Sequence, residues 1–227
     1  MLLLLFDVDG TLLLSDDPLL GRAAAIAAHE AFGVEIAPDA LARLDHAGRT
    51  ALRQGRELLR RAGLPEREVD AGLGRWCGLL AEGYLELLAD ADTSAWRAPD
   101  GAAETLAGLT RHACLALLTG NPETVAYVRM ERLGLDRFFP RGQGAFGCES
   151  EERPRLVELA RERAGGWPAS ATVAVGDTRE DVAGGHAAGI RVVGVQSHRN
   201  DPGAVAGADA RISSLASLPE ALSSLRP

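Results

Sequence analysis

Leu2–Phe6 is an unbroken apolar run that stops abruptly at Asp7-Val8-Asp9-Gly10-Thr11. A strand with one wet face alternates apolar and polar residues, whereas a run that is apolar throughout suits a strand covered on both faces of a parallel sheet. Similar runs occur at residues 114–118, 172–175 and Arg191–Val195. The middle two lead through polar or glycine-containing turns into helix-compatible segments, residues 122–133 and 179–188. Asn121 is the expected cap of the first, with Pro122 in its first turn, and Thr178 precedes the second. Strand alternating with helix predicts an α/β fold with a Rossmann-like open parallel sheet and right-handed crossovers. In such sheets ligands bind outside the carboxyl ends of the strands, so the polar groups that end these runs should share one end.

About 80 residues separate the first strand from the helix expected near Asp100, far beyond the ~10 to 12 that a crossover needs. Residues 18–32, 38–45, 49–62 and 66–88 carry alanine, leucine, glutamate and arginine at helical spacing. They predict an inserted α-helical cap domain over residues 16–96, with the core formed by 1–15 and 97–227. The two connections, residues 15–17 and 93–99, should run side by side as a hinge.

The chain of 227 residues has 24 basic against 32 acidic residues, a net charge of −8. That field repels nucleic-acid phosphates and anionic lipid, so neither nucleic acid nor a membrane is an expected partner. The opening apolar run breaks after a few residues with no basic flank, which argues against a signal peptide, and no stretch reaches the ~20 apolar residues of a span. Every basic residue is arginine, which excludes Schiff-base chemistry on a side-chain amine. Cys77, Cys114 and Cys148 are odd in number and widely spaced, which suggests neither a disulfide framework nor a zinc knuckle and points to the cytoplasm.

Asp7 and Asp9, one residue apart at a strand end, can divide labour between a bare nucleophile or metal ligand and a proton carrier; a solvated acidic turn is the plain alternative. Thr11 adds a hydroxyl and an amide at the same turn, where it is expected to help bind the substrate. Asp177 and Asp181 follow a strand expected at the same sheet end and can join Asp7 around a hard cation such as Mg²⁺, although Thr178 and its acids would also suit a helix start. Thr119-Gly120-Asn121 offers a hydroxyl and free amides to an anion, or is merely a capped turn. Arg153, before Pro154, begins a helix among acids.

In this order, D-V-D-G-T, L-L-T-G-N, a basic residue followed by proline, and G-D-T-x-x-D resemble the haloacid dehalogenase superfamily, specifically its phosphoglycolate-phosphatase-like branch with a helical cap after the first strand. His46-Ala47-Gly48-Arg49-Thr50 is similar to the family's substrate-facing cap loop, although Ala51 stands where an acid often follows. The family's third-motif lysine is absent, and Arg153 is its best-aligned substitute, with Arg155 second. The resemblance implies that Asp7 attacks phosphorus and that Asp9 protonates the leaving alcohol and later deprotonates water. It implies Mg²⁺ held by Asp7, the Asp9 carbonyl and Asp177, with Asp181 supporting the metal's waters or Arg153. Thr119 and neighbouring amides, including those of Gly120 and Asn121, would bind phosphoryl oxygens, and Arg153 would neutralise their charge. His46, Arg49 and Thr50 would read the substrate, a small phosphorylated metabolite, in a monomer or homodimer. A β-phosphoglucomutase-like activity is the close alternative, and a non-catalytic binding protein on the same fold the distant one.

Overall fold

The computed structural model describes residues 1–44, 47–197, 200–201 and 203–225. Six parallel strands lie in the order β3-β2-β1-β4-β5-β6: β1 (Leu2–Phe6), β2 (Ala113–Thr119), β3 (Ala145–Phe146), β4 (Thr172–Gly176), β5 (Arg191–Val195) and β6 (Ala210–Ile212). The central position of β1 explains its unbroken apolar sequence. Leu4 and Phe6 face a core shared with α4 (Ala102–Leu109), α5 (Glu123–Leu133) and α8 (Leu218–Ser224). Leu3 and Leu5 face the opposite core, filled by α6 (Arg153–Arg163) and α7 (Arg179–Ala187). Each fully buried leucine contributes about 1.5–3 kcal/mol by leaving water, and a polar residue on either face would lose that and more.

The chain builds β2 and β3 on one side of β1, then crosses to β4 on the other. Phe6 is in register with Leu117 and with Val175, so β1, β2 and β4 end together. That crossing is the topological switch point where the polar turns converge.

Between β1 and α4 lies the inserted α-helical cap: α1 (Leu19–Phe32), α2 (Ala51–Arg61) and α3 (Glu66–Ala89). Ala23, Ala27, Leu59, Val69, Leu73, Trp76 and Tyr84 give it a core of its own, joined by Val125 from α5. The two connections are stitched together: the Leu14 amide donates to the Arg97 carbonyl at 2.9 Å, and the Ser15 hydroxyl both accepts from the Arg97 amide and donates to the Ala95 carbonyl, each at 2.9 Å. Among the described residues, no helix is long and apolar enough to cross a membrane.

Three expectations are corrected. Residues 38–44 form turns instead of a helix, with Ala40 bonding back to Ala37 and Leu44 to Leu41; so short a stretch gains too few i→i−4 bonds to offset nucleation. Position 45, the end of that expected helix, lies outside the described residues. Asn121 does not cap α5, whose N-cap is Pro122, because its side chain is drawn to Asp9. Cys77 on α3 and Cys148 after β3 form a disulfide that fastens the cap to the core, leaving Cys114 as the free cysteine. A bridge between two layers needs no local spacing pattern, and with it the cytoplasmic expectation loses its cysteine-based support.

Candidate active site

The carboxyl ends of β1, β2 and β4 deliver Asp7, Thr119 and Asp177 to one place. The Asp7 amide is fixed by the Val175 carbonyl at 2.9 Å, so β1 and β4 hold the start of the acidic turn in register. Gly10 has φ +81°, and a Cβ there would sit 2.0 Å from Asp177 Oδ2; only glycine lets the turn lie this close to the β4 loop. Oxygen atoms of Asp7, Asp177 and Asp181 all lie within 4.8 Å of one another, and all three residues are buried.

Such crowding has an electrostatic signature. Burial, reinforced by Asp181 and Asp177 and only partly opposed by Arg153, pushes the Asp7 carboxyl well above the ordinary carboxylate range. Burial and Asp181 likewise push Asp177 up to about 7, against hydrogen bonds from Asn200 and Ser197. Three buried carboxylates converging in this way form an oxygen donor set that fits a hard divalent cation.

Arg153 supplies part of the missing positive charge. Entering from the first residue of α6, it is 4% exposed, and its Nη2 donates to Asp7 Oδ1 at 3.2 Å, to Asp181 and to the Leu118 carbonyl at 3.2 Å. Nη1 donates to the Gly48 carbonyl of the cap loop at 2.8 Å. Arg155, by contrast, is half-exposed and pairs with Glu158 of its own helix at 2.9 Å. Asp181 also closes the capping box of α7, accepting from the Thr178 amide at 3.0 Å and hydroxyl at 2.6 Å, so capping and charge pairing coexist in one carboxylate.

Asp9 stands apart from this cluster, partly exposed at the wall of a cavity of about 790 Å³. Asn121 Nδ2 donates to its Oδ2 at 2.5 Å and to Thr119 Oγ1 at 3.0 Å. The cavity is lined by Asp7, Asp9, Thr119, Gly120 and Asn121 from the core and by Gly48 and Arg49 from the cap. Thr11 is buried, with its amide on the Val8 carbonyl and its hydroxyl 3.5 Å from Asp177, so it braces the turn instead of lining the cavity. Thr50 caps α2, accepting from the Arg53 amide and donating to the Glu151 carbonyl, both at 3.3 Å, and it too lies behind the cavity wall. His46 lies outside the described residues.

The cap loop is docked against the core by backbone as well as side chains. Ala51 donates to the Gly120 carbonyl at 2.8 Å and Leu52 to the Gly147 carbonyl at 3.0 Å. A Cβ on Gly147 would fall 1.7 Å from the Gly120 oxygen, so this approach requires glycine. Two further contributors belong to no sequence motif. Asn200 donates to Asp177 Oδ2 at 2.5 Å from a loop with no motif. Arg129, in the middle of α5, is 1% exposed and pairs with Asp9 at 3.0 Å and Asp17 at 2.7 Å. Its sequence signal was only a charge on an otherwise apolar helix face.

The haloacid dehalogenase-like hydrolase family matches residues 1–189. The chain belongs to that family. No curated protein matches it. Among solved structures, this haloacid dehalogenase-like hydrolase is similar to a predicted phosphoglycolate phosphatase from Haemophilus somnus 129pt, with TM-score 0.61 and 21% identity over 96% of each chain. CbbY from Rhodobacter sphaeroides in complex with phosphate gives TM-score 0.67 and 22% identity, again over 96% of each chain. A mutant of CbbY from the same organism in complex with xylulose-(1,5)bisphosphate gives 0.67 and 21% over the same shares. At identities this low, the structural likeness shows the shared fold alone.

Proposed function

We propose that the chain is a phosphatase of small phosphate monoesters that works through an aspartyl phosphate on Asp7. The observation that carries this reading is the juxtaposition of buried Asp7, Arg153, Asp177 and Asp181 at one sheet end, with Asp9 two residues from Asp7 and both facing one cavity. An Asp7 oxygen attacks phosphorus, the ester P–O bond breaks, and the departing oxygen takes a proton from Asp9. Water then attacks phosphorus and passes a proton to Asp9, and the bond to Asp7 breaks to release inorganic phosphate. Arg153 lies close enough to Asp7 to offset charge spread over the phosphoryl oxygens, and Thr119 with the amides of residues 120 and 121 can receive those oxygens.

Mg²⁺ is the ion that suits this donor set, with Asp7, Asp177 and the Asp9 carbonyl as its holders and Asp181 steadying Arg153 beside it. When bound, it supplies charge neutralisation to the phosphoryl group. The cavity volume suits a small phosphorylated metabolite, of phosphoglycolate or sugar-phosphate type, whose leaving portion would meet Arg49 and the apolar wall of Leu20 and Leu41.

The test is turnover of p-nitrophenyl phosphate, 2-phosphoglycolate and a panel of sugar phosphates with Mg²⁺ and with excess chelator, together with mass spectrometry of acid-quenched enzyme. Mg²⁺-dependent release of phosphate and a phosphorylated Asp7 support the reading. No turnover of any ester with Mg²⁺ present overturns it.

A further inference from the structure

Arg129 is a complete cation buried in the interior, and the chemistry so far described makes no use of it. Its Nη1 donates to both carboxyl oxygens of Asp9, at 3.2 and 3.0 Å. Nη2 and Nε both donate to Asp17 Oδ2, at 2.7 and 3.1 Å, and Nε also donates to the Tyr84 hydroxyl at 3.1 Å. The Tyr84 hydroxyl in turn donates to Asp17 Oδ2 at 2.5 Å, and its ring lies under the guanidinium at 5.3 Å. Burial, the largest influence on that phenol, pushes its ionisation up and keeps the hydroxyl a donor. Every hydrogen-bonding nitrogen of Arg129 is therefore used, and its plane is fixed from below and from one side.

The three members of this cluster come from different parts of the chain: Asp17 from the first connection to the cap, Tyr84 from α3 of the cap, and Arg129 from α5 of the core. A guanidinium fork held in this way has one direction left in which to act, which is toward Asp9. Asn121 donates to the same Asp9 carboxyl, so the group is held by donors from α5 and from the turn before it.

We propose that Arg129 is the positioning residue of Asp9, holding that carboxyl group at the cavity wall where the leaving oxygen of a phosphate ester departs. The inference rests on the reading of Asp9 as the proton carrier for that oxygen. It adds no step to the reaction; the proton still passes from Asp9 to the leaving oxygen as the P–O bond breaks. The need for Arg129 then depends on the ester. A phenolate departs without a proton, whereas an alkoxide does not, so displacing Asp9 harms alkyl esters selectively.

The experiment compares kcat/KM for p-nitrophenyl phosphate and for an alkyl phosphate such as a sugar phosphate in wild type, Arg129→Gln, Arg129→Lys, Asp17→Asn and Tyr84→Phe. This ratio counts only steps up to departure of the leaving group. In Arg129→Gln the alkyl substrate should lose about 10²-fold, the lower end of what general acid catalysis supplies, and at least about tenfold more than the aryl substrate. Arg129→Lys keeps the charge without the fork and should recover part of the alkyl rate. If Arg129→Gln fails to fold, Tyr84→Phe removes a single hydroxyl remote from the cavity and should show the same selectivity at smaller size. Equal losses on both substrates, or none, overturn the positioning role while leaving the phosphatase reading intact. A wild-type protein that hydrolyses neither substrate overturns both.

Discussion

Arg153→Met is the perturbation that most directly questions the site. Methionine keeps the apolar stem, which lies where a Cβ on Gly184 would come within 2.9 Å of it, and removes only the guanidinium. The loss is worked from the contacts: a buried cation disappears from beside Asp7 and Asp181, and the Leu118 and Gly48 carbonyls lose a donor. Breaking a buried pair by deleting one partner costs about 3–5 kcal/mol, because the remaining charge stays buried. The carboxylates left behind crowd one another without their counter-charge, so the metal-free protein should suffer most. Replacing chelator with saturating Mg²⁺ should then narrow the gap between variant and wild type in urea unfolding. The ion relieves the same repulsion that the arginine relieved, and binding to the native state alone at about 100 Kd adds about 2.7 kcal/mol. Turnover is a separate readout. Losing one preorganised contact to the developing charge should lower kcat by about 10² to 10³, and Arg153→Lys should recover part of it through a point charge without the fork. Arg155→Ala is the control, since Arg155 is half-exposed and bound only to acids of its own helix. An Arg153→Met enzyme within about threefold of wild type, on a scale where such contacts are worth ~10², would refute the reasoning, as would an equal loss in Arg155→Ala.

Asp7→Asn should reduce hydrolysis to background while the protein stays folded, and Asp9→Asn should lose turnover yet still bind the ion through its backbone carbonyl; steady-state assays and calorimetric Mg²⁺ titration check both. The raised Asp177 carboxyl, at about 7 against an ordinary 3.8, means that the metal-free folded chain keeps a proton which the unfolded chain has released. Its stability contribution is therefore present below pH ~4 and lost as pH rises to about 7. Urea midpoints in chelator should fall by the equivalent of a few kcal/mol over that window and fall less with Mg²⁺; a rise would contradict the crowding. The Cys77–Cys148 disulfide closes a loop of sequence separation 71, for which chain entropy gives about 4 kcal/mol, so Cys77→Ser should lower the unfolding free energy by that order. Thiol titration of the unreduced, unfolded chain should find one reactive cysteine, and three after reduction.

What could be read in the sequence was local, and what escaped it was the meeting of distant parts. The strand ends declared themselves because a parallel sheet buried on both faces leaves an unbroken apolar run, and the residues just after such runs must gather at one end. Asp7, Thr119 and Asp177 were accessible for that reason, and Arg153 because it stood in order at a helix start before a proline. The short β3 and β6 were missed: two or three residues show no periodicity, and they exist by pairing with β2 and β5. Arg129 illustrates the limit more sharply. In a chain whose 24 basic residues are all arginine, its type carries no information, and its partners Asp9 and Asp17 lie 120 and 112 residues away. Short-range propensity favours a helix-cap role for Asn121, yet its side chain donates to the Asp9 carboxyl at 2.5 Å, a partner 112 residues away that no local pattern reveals. Arg129 and the Cys77–Cys148 pair share one origin: residues near the cap–core boundary satisfy partners on the other side of it, where no local pattern marks them.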